Sequence, residues 1–303
     1  MALGYVGVGS MGGALARRLQ LQHQLTVFDL NPASVQRMVE KGSTAAKSLA
    51  EIGAACDIVL LCLPTSADVR KAIFGEGGLL STAKPGALIV DQTSGDANAT
   101  KEMALEAQAR GFELIDAPVS GGPRGADAGT IAIMVGASDA QFARIQPILA
   151  AISPKIFHPG DVGAGHAMKA INNMLSGTLR LASLEAMALA TKNGITPQKA
   201  LDIMLASSGR NNYLEHFGQR IVDGKLVNGF TLGLMHKDVK NACLLGEASG
   251  VPMFFGNLTR EFYQMCIGEY SHNTEVNAAA LVMDRLAGTH VAPVNHNLPK
   301  MEK

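Results

Sequence analysis

Apolar residues in the first half of the chain fall into short unbroken runs separated by stretches of helical spacing. Leu3-Gly4-Tyr5-Val6, Gln24 to Phe28, Asp57 to Leu63, Ala87 to Asp91, Phe112 to Ala117, Thr130 to Val135 and Lys155 to His158 read as strands. The run from Asp57 to Leu63 is apolar at nearly every position and is ended by Pro64, the pattern of a parallel strand buried on both faces. Between these runs, the segments from Ala14 to Leu19 and from Pro32 to Lys41 predict helices, the second stopped by Gly42, and Ser48 to Ala54 predicts a shorter one. Such alternation predicts an α/β fold with a doubly wound, mostly parallel sheet, in which ligands bind beyond the carboxyl ends of the strands.

The second half has a different pattern. From about Gly165 to Asn193 there is no proline and Gly177 is the single interior glycine, while Met168, Ile171, Leu175, Leu179 and Ala182 recur every three or four residues. This predicts one helix of about 40 Å. Pro197 to Leu205, Asn212 to Val222, Lys237 to Ala248, Asn257 to Ile267 and Thr274 to Ala287 predict further helices, with no strand among them. The expected organisation is a nucleotide-type domain over 1–162, an all-α domain over 163–288 built on the long interdomain helix, and a tail over 289–303. The tail is aperiodic and carries two prolines, which leaves open a mobile tail or an arm packed on a partner subunit.

Composition adds limits. A chain of 303 residues at 47% hydrophobic composition is long enough to bury two cores. Lys plus Arg equals Asp plus Glu at 26 each, so no field draws the chain to nucleic acid or an anionic membrane, and the expected partners are small molecules and further copies of itself. Cys56, Cys62, Cys243 and Cys266 lack the spacing of a zinc or redox motif and read as reduced thiols, and no metal is expected. With no signal-like leader ahead of the first strand and no apolar run of membrane-spanning length, a cytoplasmic protein is expected.

Chemistry starts at the glycine turn. Gly7-Val8-Gly9-Ser10-Met11-Gly12 lies between the first strand and the first helix, where three glycines serve a tight turn, a close approach to pyrophosphate and close helix packing. Asp29 ends the second strand about twenty residues later, placed to accept hydrogen bonds from the ribose hydroxyls of NAD and to repel a 2′-phosphate. Leu30, Asn31 and Pro32 supply no basic residue beside it, so NAD is favoured over NADP. The bland alternative makes Asp29 a turn residue or helix cap. Together these features make the first domain a Rossmann domain.

Lys169 and Asn173 are four residues apart near the start of the long helix and share one face. From these residues alone, either a solvated lysine beside an amide or a proton-exchanging lysine in apolar surroundings stands. Ser120 is likewise either a loop serine in a glycine turn or a ligand contact.

At this point the chain resembles the β-hydroxyacid dehydrogenases. The glycine turn, Asp116-Ala117-Pro118-Val119-Ser120-Gly121-Gly122, the Lys169 and Asn173 helix, and His236-Lys237-Asp238-Val239 match that family's four signature regions in order and spacing, over about residues 3 to 287. The resemblance implies that Lys169 is the catalytic lysine, exchanging the substrate oxygen's proton as hydride moves to or from the nicotinamide. It implies that Ser120, Gly121 and Gly122 hold the substrate carboxylate, and that Asn173 orients the lysine and the reacting group. Lys237 matches a lysine at the nicotinamide end of the cofactor, with Asp238 supporting its loop. Leu63-Pro64-Thr65 matches a loop beneath the cofactor, and Ser94 stands where the family usually has a threonine. His166 and His236 have no family role and read as structural. Two departures bear on substrate choice: Arg124 follows Pro123 after the glycine pair, and Arg210 lies in a region that varies between subgroups. Either reads a second anion or is a surface arginine.

The expected activity is an NAD-dependent interconversion of a small β-hydroxy acid and its semialdehyde by a homodimer or homotetramer. Three rivals remain: an NADPH-dependent reductase of a short semialdehyde or glyoxylate, an imine reductase, and a non-catalytic dinucleotide-binding protein. Asp29 argues against the first, Lys169 against the second, and the joint presence of Ser120, Lys169, Asn173 and Lys237 against the third.

Overall fold

The computed structural model describes residues 1–298 and divides into two compact units, Met1–Lys169 and a second beginning at Ala170. In the first, β1 (Leu3–Val6), β2 (Leu25–Phe28), β3 (Thr44–Ala45), β4 (Ile58–Leu61), β5 (Leu88–Asp91) and β6 (Glu113–Asp116) pair in parallel in the order β3-β2-β1-β4-β5-β6. This is the Rossmann order, with its reversal between β1 and β4. The sheet then departs from parallel. β7 (Val119–Ser120) and β8 (Ala132–Gly136) pair antiparallel to each other, β8 is antiparallel to β6, and β9 (Ile156–Gly160) runs parallel to β8.

The continuous apolar runs divide by strand periodicity. Tyr5, Ile58, Leu60, Leu88, Val90 and Ile115 enter the core on one face, while Val6, Val59, Leu61, Ile89 and Leu114 enter the core on the other. Helices α1 (Ser10–Gln20), α2 (Pro32–Val39), α3 (Leu49–Ala55), α4 (Ser66–Phe74), α5 (Ala97–Ala109), α6 (Gly122–Asp127) and α7 (Asp139–Leu149) connect the strands. The four from α4 to α7 lie outside the helices expected from periodicity. Side-chain caps start three of them: Thr65 on Asp68, Asp96 on Asn98 and Ala99, and Ser138 with Gln141 in a capping box.

The long helix, α8, runs over Ala164–Lys192, a length of about 43 Å for its 29 residues. Residues 164–169 belong to the first unit and 170–192 to the second. The second unit continues through α9 (Pro197–Leu205), a π-helical turn at Leu214–Gly218 leading into α10 (Gln219–Val222), α11 (Leu232–Ser249), α12 (Phe254–Glu269) and α13 (Ala279–Ala287). Among its described residues the extended pairing is one isolated bridge, Thr231 to Glu275. α11 starts earlier than expected because Thr231 caps it through the Leu234 N–H, so Lys237 and Asp238 sit inside a helix and not on a loop.

The expectation of a mobile tail or partner arm is corrected for residues 289–298. Val291, Ala292 and Leu298 are buried in the second unit's own core. Asp284 holds the segment, accepting from the Thr289 hydroxyl at 2.7 Å and from the N–H groups of Val291 and Ala292 at 2.7 and 2.9 Å. The rest of that tail, from 299 onward, lies outside the described residues.

Candidate active site

The glycine turn between β1 and α1 shows a separate reason for each glycine. Gly7 has φ +83°, and a Cβ there would lie 2.4 Å from the Cys62 carbonyl oxygen. A Cβ on Gly12 would lie 1.9 Å from the Gly7 carbonyl oxygen, so only glycine lets α1 approach β1 this closely. A Cβ on Gly9 would meet nothing within 4 Å, leaving open space at the first turn of α1, which contains no acidic residue. Ser10 is exposed on that turn, while Met11 packs on the core behind it. Asp29, at the end of β2, accepts from the Val8 N–H at 2.8 Å and from the Asn31 N–H at 2.8 Å, tying the strand end to the glycine turn. The cap of α2 is Asn31, not Asp29.

The loops after β4 and β5 join next to this turn in sheet order. The Leu63 N–H donates to Thr93 Oγ1 at 3.1 Å, and the Thr93 N–H donates to Asp91 Oδ1 at 2.9 Å. Leu63, Pro64 and Ser94 therefore lie on two hydrogen-bonded loops at the carboxyl edge of the sheet. Asp116, at the carboxyl end of β6, is fully buried and accepts from the N–H groups of Gly163 and His166, each at 2.6 Å, anchoring the start of α8. Burial pushes its carboxyl above the usual range, while the neighbouring His166 ring and the two N–H donors pull it down. Gly136 and Gly165 leave room for that carboxylate: a Cβ on the first would lie 2.4 Å from Oδ1 and on the second 2.8 Å from Oδ2.

Ser120 ends β7, and the two glycines after it have φ +139° and +67°, a backbone that places successive N–H groups in a conformation other residues rarely adopt. Lys169 lies on α8 with 8% of its surface exposed, one turn before Asn173 at 8%. In the second unit, Asn173 Nδ2 donates to Asp238 Oδ2 at 2.6 Å, and Lys237 Nζ lies 3.3 Å from Asp238 Oδ1. Asp238 thus joins Asn173 and Lys237. His236 is half-buried, and burial, then Lys240, hold its pKa below the ordinary value. Arg210 is an exposed arginine paired with Glu215, and Arg124 lies on the short α6.

Residues 2–160 match the family profile described as the NAD binding domain of 6-phosphogluconate dehydrogenase, and residues 163–283 match that described as the NAD-binding domain of NADP-dependent 3-hydroxyisobutyrate dehydrogenase. The chain is 36% identical to 2-(hydroxymethyl)glutarate dehydrogenase of Eubacterium barkeri over 96% of its length and 97% of that protein's. It belongs to the β-hydroxyacid dehydrogenase family.

The chain is also 35% identical to 3-hydroxyisobutyrate dehydrogenase of Pseudomonas aeruginosa, over 87% of its length and 91% of that protein's. The solved Mycobacterium tuberculosis 3-hydroxyisobutyrate dehydrogenase with L-serine superposes with a TM-score of 0.83 at 27% identity, covering 93% of this chain and 98% of that one. The protein is accordingly a nicotinamide-dinucleotide-dependent oxidoreductase acting on the CH–OH group of a hydroxy acid. Its residues fit such a cofactor. The open approach at Gly9 and the acid-free first turn of α1 suit a pyrophosphate, and the Asp29 carboxylate has acceptor capacity beyond its two backbone bonds. Asp91, Thr93 and Asp116 had no individual role in the expected site, although Asp116 opens a signature region and Asp91 and Asp116 each end an apolar run at a strand's carboxyl end.

Proposed function

We propose that the enzyme oxidises a small β-hydroxy acid with NAD, using Lys169 as the general base. The observation that carries this reading is the burial of Lys169, because lysine is among the residues least often buried and a buried ionisable group is a candidate for proton chemistry. In the oxidation direction the neutral Lys169 amine takes the hydroxyl proton, and in reduction the ammonium returns it. When bound, the nicotinamide accepts or donates the hydride. Ser120 and the backbone N–H groups of Gly121 and Gly122 hold the carboxylate through charge-assisted hydrogen bonds. Asn173, fixed by Asp238, orients the reacting group, and Lys237 takes the role of the family's cofactor lysine.

Lys169→Ala tests this. The expected loss in kcat is about 10²- to 10⁴-fold with dinucleotide binding retained, and substantial residual turnover refutes the assignment. The hydroxy acid itself is found by assaying 3-hydroxyisobutyrate, L-serine, glycerate, 4-hydroxybutyrate, threonate and 2-(hydroxymethyl)glutarate with NAD and NADP.

The preference for NAD rests on Asp29. Asp29→Asn keeps an oxygen for the Val8 N–H while removing the charge, and should raise kcat/KM with NADP relative to NAD about tenfold or more. An unchanged ratio would show that the ribose is read elsewhere. Self-association into a dimer or tetramer is supported by the apolar residues exposed on the helical unit, Leu175, Leu189, Phe254, Phe255 and Leu258 among them. Light scattering of the purified enzyme checks it, a monomer at micromolar concentration being the contrary result. A cytoplasmic setting is supported by four cysteines that form no disulfide, and no helix among the described residues is long and apolar enough to cross a membrane.

A further inference from the structure

We propose that His166 is a positioning residue that holds the Lys169 turn of α8 in register with the loops after β4 and β5. This rests on Lys169 being the acid/base. The His166 ring is fully buried, and both nitrogens are engaged. Nε2 lies 2.8 Å from the Thr93 carbonyl oxygen, which can only accept, so Nε2 carries a hydrogen. Nδ1 lies 2.8 Å from Thr100 Oγ1 on α5. The backbone N–H of the same residue donates to Asp116 Oδ2.

One residue on the first turn of α8 is therefore tied to β6, to α5 and to the loop after β5. Thr93 passes the connection on, because its hydroxyl accepts from the Leu63 N–H on the loop after β4. Gly95 leaves room for the ring: a Cβ there would lie 2.9 Å from His166 Cε1 and 3.1 Å from Nδ1.

The charged groups facing the ring are two buried carboxylates. Asp91 Oδ2 is 3.9 Å from Nε2, and Asp116 Oδ2 is 3.9 Å from Nδ1. Asp91 Oδ2 has no hydrogen-bond partner among the described residues and lies 3.9 Å from the ring nitrogen. An apolar side chain in place of His166 would leave that carboxylate, the Thr93 carbonyl and the Thr100 hydroxyl without the ring. Residues three apart on a helix are neighbours on one face, so a swing of the turn at His166 carries Lys169 with it. A displacement of about 1 Å at a reacting group costs on the order of 10²-fold in rate.

The test compares His166→Leu, His166→Gln, Gly95→Ala and Lys169→Ala in the full-length enzyme, with NAD and the fastest hydroxy acid of the panel above. For His166→Leu the expectation is a kcat lower by about 10- to 100-fold, with NADH affinity within about twofold of wild type. Its pH profile of kcat should shift, and the primary isotope effect with substrate deuterated at the carbinol carbon should rise. His166→Gln can still donate to the Thr93 carbonyl and should recover most of the rate. Gly95→Ala displaces the ring without removing it, and should raise the isotope effect even if His166→Leu fails to fold. A loss of stability with wild-type pH profile and isotope effect in all three variants overturns the proposal and leaves His166 merely structural. Retained turnover in Lys169→Ala overturns the acid/base assignment itself. An inactive Lys169→Ala beside a wild-type-like His166→Leu overturns the positioning role alone.

Discussion

Replacing Gly9 and Gly12 separately by alanine should separate binding from folding at two positions three residues apart. A methyl at Gly12 falls 1.9 Å from the Gly7 carbonyl oxygen and 3.1 Å from Cys62 Cβ, so α1 must retreat from β1. Overpacking against backbone at that distance costs about 3 kcal/mol or more, the upper end of the usual range. In a unit spanning Met1–Lys169, each kcal/mol lowers the Tm by about 2–4 °C, giving a drop of about 6–12 °C. A methyl at Gly9 meets no protein atom within 4 Å, and φ is −67°, which alanine adopts readily. Its cost as a poorer helix cap stays below about 1 kcal/mol. On the proposed reading of the glycine turn, that methyl stands where the pyrophosphate would approach. Loss of one charge-assisted hydrogen bond there, about 1.5–3 kcal/mol, weakens the dinucleotide Kd by roughly 10- to 100-fold. Thermal melting by circular dichroism and NADH titration by fluorescence read the two effects. Wild-type NADH affinity in Gly9→Ala, or a Gly12→Ala melt within 2 °C of wild type, refutes the roles given to these glycines.

Asp116→Asn removes an ionisation that burial makes unfavourable. Because the folded-state pKa is raised above its unfolded value, the proton on Asp116 contributes stability in acid that is lost as pH rises from about 4 through the folded pKa. The stability of wild type relative to Asp116→Asn should therefore decline across that window in denaturant titrations, and a pH-independent difference contradicts it. Asp284→Ala removes the acceptor for three donors of the segment after α13, at a cost of about 2–4 kcal/mol, and should speed hydrogen exchange at Val291 and Ala292 at least about tenfold. Unchanged protection there shows that core burial alone holds the segment. Burial pushes the Cys266 thiol up to about 12, so at pH 8 only about one molecule in 10⁴ carries a thiolate there. Ellman's reagent should label Cys266 only after unfolding, and rapid labelling of the native protein is the contrary result.

The strands and the glycine turn were legible because their signals are local. An apolar run such as Ile58 to Leu61 marks a strand buried on both faces, and Gly7, Gly9 and Gly12 carry their spacing within one turn. α5 escaped notice because its buried face is made largely of small or polar residues, Ala97, Thr100 and Ala107 with the single Met103, so its periodicity is faint. The early start of α11 was signalled by Thr231, but two glycines, Gly229 and Gly233, flank that cap and break the pattern. The segment after α13 looked loose because Pro293 and a lack of periodicity hide what fixes it, a single carboxylate gathering three donors. The bond from His166 to Asp116 was out of reach for a different reason: it joins residues fifty positions apart, and no local pattern records such a pairing.

Asp116, Gly136 and Gly165 have a consequence for how this protein can change. The carboxylate occupies the volume that a side chain at either glycine would need, so the three positions are not independent choices. A methyl at Gly136 is admitted only if the residue at 116 shrinks, whereas one at Gly165 would also lie 2.3 Å from the Met134 carbonyl oxygen, and a smaller residue at 116 drops the two N–H groups that begin α8. A single substitution that adds a side chain at either glycine, or removes both acceptor oxygens at 116, leads downhill. Chains that share this helix start should therefore keep glycine at 165 and replace 116 and 136 only together.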